Sequence, residues 1–211
     1  MGISFTGWNS IFLYPLRILV VFFHEASHAI AAIISGGRVV EIVISTQEGG
    51  YALTAGGNGP LISCAGYLGS LACGIIIFLS ADRSSKDKEI MMTLGIIIIG
   101  ISLLYVRNLF TFGFCLLTGS LMMYLGNKAT EITNDICLRV IGLTSMMYVP
   151  LDIYSDTIQR SHLRSDARIL AEQIGGSSTV YGIIWLLLAL FVIFFSLKSS
   201  LQNEWQSNNT R

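Results

Sequence analysis

Six long apolar runs constrain this chain more than anything else in its sequence: Ile11 to Ser35, Gly59 to Ala81, Met91 to Val106, Leu109 to Gly126, Ile136 to Leu151 and Val180 to Leu197. A helix needs about 20 apolar residues to cross about 30 Å of hydrocarbon. Two runs, 91–106 and 136–151, hold only 16 residues, so the number of spans is bracketed at about five to seven. Composition agrees, since 53% of residues are apolar and 12% charged, about half the charge density of a soluble chain. A net charge of zero removes nucleic acid as an obvious partner, and the apolar content excludes disorder. The expectation is an all-α polytopic membrane protein. It has about six transmembrane helices in one unit over residues 1–211, and the lipid bilayer is its first partner.

The intervals between runs are short. The first differs from the rest, because Arg38 to Ser45 alternates β-branched residues and Gly49-Gly50 precedes Tyr51 to Thr54. That pattern predicts a membrane-associated β-hairpin over about 38–55. The last carries Arg160, Arg164 and Arg168, then Leu170 and Ile174 before Gly175-Gly176, the pattern of a short interfacial helix stopped at glycine. The first run is expected to be retained rather than cleaved as a signal peptide, because it is too long for an h-region and contains His, Glu and Arg. Lys and Arg divide evenly between the two sides of a six-span arrangement, so charge asymmetry sets no orientation. Cys64, Cys73, Cys115 and Cys137 fall in or beside the spans without a C-x-x-C pair. They read as small apolar packers rather than disulfide or zinc residues.

Chemistry concentrates in the first run, at His24-Glu25-Ala26-Ser27-His28. On an α-helix, positions i and i+4 differ by about 40° and one turn of rise, so both imidazoles can reach one Zn²⁺. Glu25 lies about 100° round, where a carboxylate can take a proton from zinc-bound water without ligating the metal. Ionisable groups at this depth cost several kcal/mol unless they are paired, ligating or wet. Two hydrogen-bonded histidines with a partnered Glu in a bundle would be the structural alternative. Arg17, seven residues earlier, has two readings: it shares the same cavity, or it snorkels to the interface.

A catalytic zinc needs a third protein ligand and an open position. His162 sits in an Arg-rich segment and reads as solvated, while Glu131 and Asp135 read as charges near a helix start. The better candidate is Asp152 in Pro150-Leu151-Asp152, with Asp156 one turn on as its substitute; an N-cap after a proline break is the competing role for Asp152.

With these residues in view, the chain resembles the intramembrane zinc metalloproteases of the site-2-protease clan, in their compact bacterial and fungal-type form without a PDZ domain. The likeness covers most of the length. It rests on His24 to His28 in an early span, Gly36-Gly37-Arg38 leading into a hairpin, Gly59-Pro60-Leu61, Ala65 to Ser70, and Pro150-Leu151-Asp152. The last matches the start of a P-L-D-G ligand motif. Ile153 stands where the family has glycine, and Ile62 and Ser63 stand where it usually supplies an Asn. Asn108, at a polar break, then has two readings: the substitute donor, or a simple turn residue.

The resemblance implies hydrolysis of a peptide bond in or near a transmembrane segment of a single-span membrane-protein substrate. In that reading His24, His28 and Asp152 hold Zn²⁺ and Glu25 is the general base. A helical substrate must partly unwind to expose its carbonyls, and the hairpin, through Ile42 and Ile44, is expected to take it up by β-augmentation. Gly66 and Gly69, with Ser70 and Cys73, would let a neighbouring helix approach closely. A regulatory membrane partner is undefined. Three alternatives stand beside this reading. One is a catalytically silent scaffold of the same fold, and another is a membrane zincin using Glu172 or Glu204 as third ligand. A proton-relay transporter is the third, against which the sequence offers no internal repeat.

Overall fold

The computed structural model describes residues 13–160 and 164–209. Helix α1 (Tyr14–Ile34) is followed by strands β1 (Arg38–Ile44) and β2 (Gly50–Ala55). Helices α2 (Gly59–Arg83), α3 (Asp87–Tyr105), α4 (Leu109–Lys128), α5 (Glu131–Tyr154), α6 (Asp166–Ile174) and α7 (Ser178–Asn209) complete the chain. Among the described residues, six helices are long and apolar enough to cross a membrane. This is an integral, multi-pass membrane protein with a two-stranded antiparallel hairpin after its first helix, as expected.

Boundaries shift where apolar runs and helices differ. The third and fifth runs looked short, but α3 starts at Asp87 and α5 at Glu131. Their polar first turns remain helical, with acidic side chains placed favourably at the N-terminus. The fourth span separates from the third at Arg107-Asn108, giving a tight helical hairpin. Pro150 does not break α5. The helix runs through it and continues as a π-helical turn over Ser155–Gln159, where the Arg160 N–H donates to the Ser155 carbonyl at 2.8 Å. Asp152 is therefore a helical residue, not an N-cap. The forecast start of the first span, Ile11 and Phe12, lies outside the described residues.

The hairpin is not appended outside the spans. Strand β1 leaves the C-terminal end of α1, yet its turn reaches back to the N-terminal end. The Tyr14 hydroxyl donates to the Thr46 carbonyl at 2.9 Å, and Arg17 pairs with Glu48 at 2.6 Å. The two strands thus lie along the length of the helix. Register runs from Arg38 opposite Ala55 to Ile44 opposite Gly50, interrupted by a bulge at Val40.

The expectation that Ile42 and Ile44 meet substrate is corrected here. Both are completely buried, and their side chains join the core with Ile18, Phe22 and Ile98. The outer edge of β1 is also taken. Ile42 bridges Val106 in parallel, and the Ile44 N–H donates to Thr111 Oγ1 at 2.8 Å. The Ile44 carbonyl accepts from Thr111 Oγ1 at 3.1 Å and from Asn108 Nδ2 at 3.2 Å. Asn108, expected as a donor to substrate, instead anchors the hairpin to the α3–α4 junction. In a medium without water these side chains satisfy an edge that would otherwise stay unpaired.

The cysteines are all free, with Cys115 fully buried. Small residues sit at helix contacts, and a Cβ at Gly69 would come within 2.5 Å of Ser27 on α1. The short helix α6 ends at Gly175 and Gly176, both at positive φ (+86° and +92°), as the Gly-Gly pair forecasts.

Candidate functional site

Helix α1 presents Arg17, Glu25, Ser27 and His28 as buried polar residues in a mostly apolar stretch. The His24 and His28 rings pack edge to face, with centroids 4.8 Å apart, as i and i+4 spacing dictates. His24 also meets Tyr67 of α2 edge-on at 5.0 Å, and Tyr67 leans on Trp185 of α7 at 5.4 Å. The pair is therefore backed on the His24 side by two successive packed aromatic rings.

The carboxylate that meets them is neither Asp152 nor Asp156. Asp166 Oδ2 lies 3.0 Å from His24 Nε2 and 3.2 Å from His28 Nε2. The three side chains form a group whose candidate ligand atoms all lie within 4.8 Å of one another. Asp152 lines the same cavity without joining this group. Asp156 is engaged elsewhere: its Oδ2 accepts from the Tyr67 hydroxyl at 2.8 Å and its Oδ1 from Arg160 at 2.6 Å. The physical reason is the uninterrupted α5. The helix and its π-helical turn carry Asp156 to Tyr67, and Asp166 at the start of α6 is the carboxylate that reaches the histidines.

Asp166 opens α6, after Ser165, whose Oγ caps the helix by accepting the Arg168 N–H at 3.4 Å. A Ser-Asp pair before an amphipathic stretch is an ordinary helix start, which is why sequence alone passed over it. His162 lies outside the described residues.

Three observations bear on whether a metal suits these residues. First, His28 Nδ1 lies 2.7 Å from the Ile62 carbonyl. A carbonyl only accepts, so Nδ1 carries the proton and the neutral ring aims an Nε2 lone pair at Asp166. Second, Asp166 Oδ2 is buried without an aligned hydrogen-bond donor, although both ring nitrogens are close. Acceptors that converge on one point are satisfied by a cation. Third, a Cβ at Gly66 would collide with His24 Nε2 and come within 2.5 Å of Asp166 Oδ2 and His28 Nε2. Glycine keeps that wall of the site clear. The set of two imidazoles and one carboxylate is a zinc donor set.

Glu25 stands beside the group and is buried. The Ala52 backbone amide faces its carboxylate, and Gly50 packs on it so closely that a Cβ there would lie 2.9 Å from Oε1. Strand β2 thus runs directly over Glu25. Its outer edge, unpaired among the described residues, lines a cavity of about 780 Å³ shared with the histidines, the end of α5 and the start of α6. Arg17 follows neither of its two forecasts: it is 5% exposed and pairs with Glu48 at the hairpin turn.

Comparison with curated proteins and with solved structures returns no match. A family model described as Peptidase M50B-like does match, over residues 2–196. That range holds both histidines, Glu25, Asp166 and the hairpin, and M50 peptidases are in general zinc metalloproteases of membranes. On the strength of this match, the chain belongs to the Peptidase M50B-like family.

Proposed function

We propose that this protein is an intramembrane zinc endopeptidase, in which His24, His28 and Asp166 hold the metal and Glu25 is the general base. The observation that carries the reading is the convergence of two imidazole nitrogens on a buried, otherwise unsatisfied Asp166 oxygen, beside Glu25, at membrane depth. Bound there, zinc supplies Lewis acidity, polarising a carbonyl and lowering the pKa of water to near 7.

The protein's own residues do the rest. Glu25 takes the proton from the attacking water and delivers it to the departing amine. Gly50, packed against the carboxylate, confines it from the side of β2. His28 keeps its ligating tautomer through Ile62. Gly66 leaves room for the metal and a carbonyl beside it.

The substrate is a transmembrane segment of a single-span protein, unwound locally where protein groups can take its freed backbone bonds. Because α3–α4 residues occupy the outer edge of β1, the β2 edge around Tyr51 to Thr54 is the strand that an extended substrate joins. A silent scaffold has no physical use for a buried Glu25 beside that edge. The glutamate-ligand reading loses support too: Glu172 pairs with Arg168 at the surface, and nothing is described for the Glu204 side chain.

The test compares wild type with Glu25→Gln, purified in detergent, for bound zinc and for cleavage of single-span substrates. Expected are about one zinc per chain in both, with cleavage falling by about a hundred- to ten-thousand-fold in the variant. Wild-type protein without zinc overturns the proposal.

A further inference from the structure

We infer that Arg17 and Glu48 are a positioning pair: their contact holds β2 in register with Glu25, so that it governs turnover without governing metal binding. This rests on the protease reading above. Arg17 lies in the first turn of α1 and is 5% exposed, and its guanidinium donates to Glu48 Oε1 at 2.6 Å. A cation inside a span demands a partner. Here that partner comes from the hairpin turn, not from another helix.

The turn has features that a simple connection would not need. Glu48 holds φ +64°, the only non-glycine residue with positive φ among those described. Such backbone persists only where its surroundings over-determine it. Glycine would fit the conformation freely, but it has no carboxylate to reach Arg17. The same turn is held from within, since the Ser45 N–H donates to the Gly49 carbonyl at 2.7 Å and Ser45 Oγ accepts from Gln47 and Gly49, both at 3.3 Å. It is tied to α1 a second time by the Tyr14 hydroxyl on the Thr46 carbonyl.

What this anchorage controls follows directly along the chain. Two residues beyond Glu48, Gly50 packs against Glu25 Oε1 and Cγ; two further, the Ala52 amide faces the same carboxylate. Arg17 and Glu25 belong to one helix, about two turns apart. Strand β2 and the turn before it are therefore registered to α1 at two points, Arg17 to Glu48 and Glu25 to Gly50, and the substrate-facing edge continues beyond them. Releasing the first point lets the strand and the carboxylate orientation drift together. The three metal-facing groups are held separately, by α1 packing, Ile62 and the α6 cap, so the metal stays.

The experiment uses the full-length protein in detergent with Glu48→Gln, Arg17→Gln and the double variant. Bound zinc, kcat and KM on a single-span substrate are measured, together with amide hydrogen exchange over residues 46–53. Each single substitution is expected to lower kcat/KM by roughly tenfold and to speed exchange comparably. Zinc per chain should be unchanged, and the double variant should be no worse than the weaker single. Unchanged kcat/KM and exchange in Glu48→Gln overturn the inference. So does zinc lost in parallel with activity, which marks a merely structural pair. If wild type holds no zinc and cleaves nothing, the protease reading fails while the exchange data still decide whether the pair fixes the strand.

Discussion

Helix α1 and the α3–α4 pair are about equally apolar, yet they occupy opposite kinds of place. In its most apolar window 78% of α1 is buried inside the protein, against 22% for α3 and 28% for α4. Helix α1 carries Arg17, Glu25 and His28, which no lipid can satisfy, so the hairpin, α2, α5 and α6 close round it. The α3–α4 pair carries no such group at its centre. Its helices approach each other through glycines, a Cβ at Gly95 coming within 2.6 Å of the Gly119 carbonyl, and turn Leu103, Leu104 and Leu117 outward to lipid. Apolar content locates both regions in the membrane. The placement of a few polar side chains decides which one is enclosed.

The sharpest test of the contrast is on the enclosed side. Asp166→Ala removes one of three converging groups, and zinc should fall from about one per chain to almost none after dialysis, a greater loss than the about 10- to 100-fold typical of residues behind the ligands. Asp152→Ala should retain zinc, because Asp152 lines the cavity without meeting the histidines. Metal analysis of the two variants reads this directly, and zinc lost from Asp152→Ala alone would return the third ligand to α5.

A smaller effect separates two glycines with equally crowded surroundings. At Gly66 the neighbours of an added methyl are the His24, His28 and Asp166 atoms themselves; at Gly119 they are the Ile99 side chain and the Gly95 carbonyl. Gly66→Ala is expected to weaken zinc binding, by less than Asp166→Ala does, in a protein that still folds. Gly119→Ala should destabilise the fold by about 1–3 kcal/mol through overpacking while the folded fraction keeps its zinc. Thermal unfolding in detergent alongside zinc content distinguishes the two outcomes. Equal zinc loss in both would mean that the α3–α4 pair supports the site after all.

The same contrast explains what could be read from the sequence. The six spans, the hairpin, the metal-like spacing of His24 and His28 and the glycine stop of α6 are local patterns, visible in neighbouring residues. Asp166 was not, because its role depends on where α5 ends and how the chain returns. Pro150 suggested a break that would leave Asp152 at a helix start, but in a packed bundle the helix passes through. Ile42 and Ile44 fit an exposed strand by composition, and only the α3–α4 junction, with Val106 and Thr111, reveals which edge is covered. Arg17 gave no sign of its partner, since Glu48 is 31 residues away in a turn. Local periodicity encodes elements, while pairings across elements depend on packing that no single segment contains.

The smallest expected effect lies on the outer face of the α3–α4 pair. Leu104 is 61% exposed and Ile18 on α1 is fully buried. Lipid tails are as apolar as leucine, so shortening a lipid-facing side chain leaves no cavity and removes no net driving force. Leu104→Ala should shift unfolding in detergent by less than about 0.5 kcal/mol. Ile18→Ala, which empties part of a packed core, should cost about 2–5 kcal/mol. The measurement has a second use, because a Leu104→Ala loss as large as that of Ile18 would mean that protein rather than lipid covers this face. The α3–α4 pair would then be an interface, and the difference from α1 would lie in which chain does the enclosing.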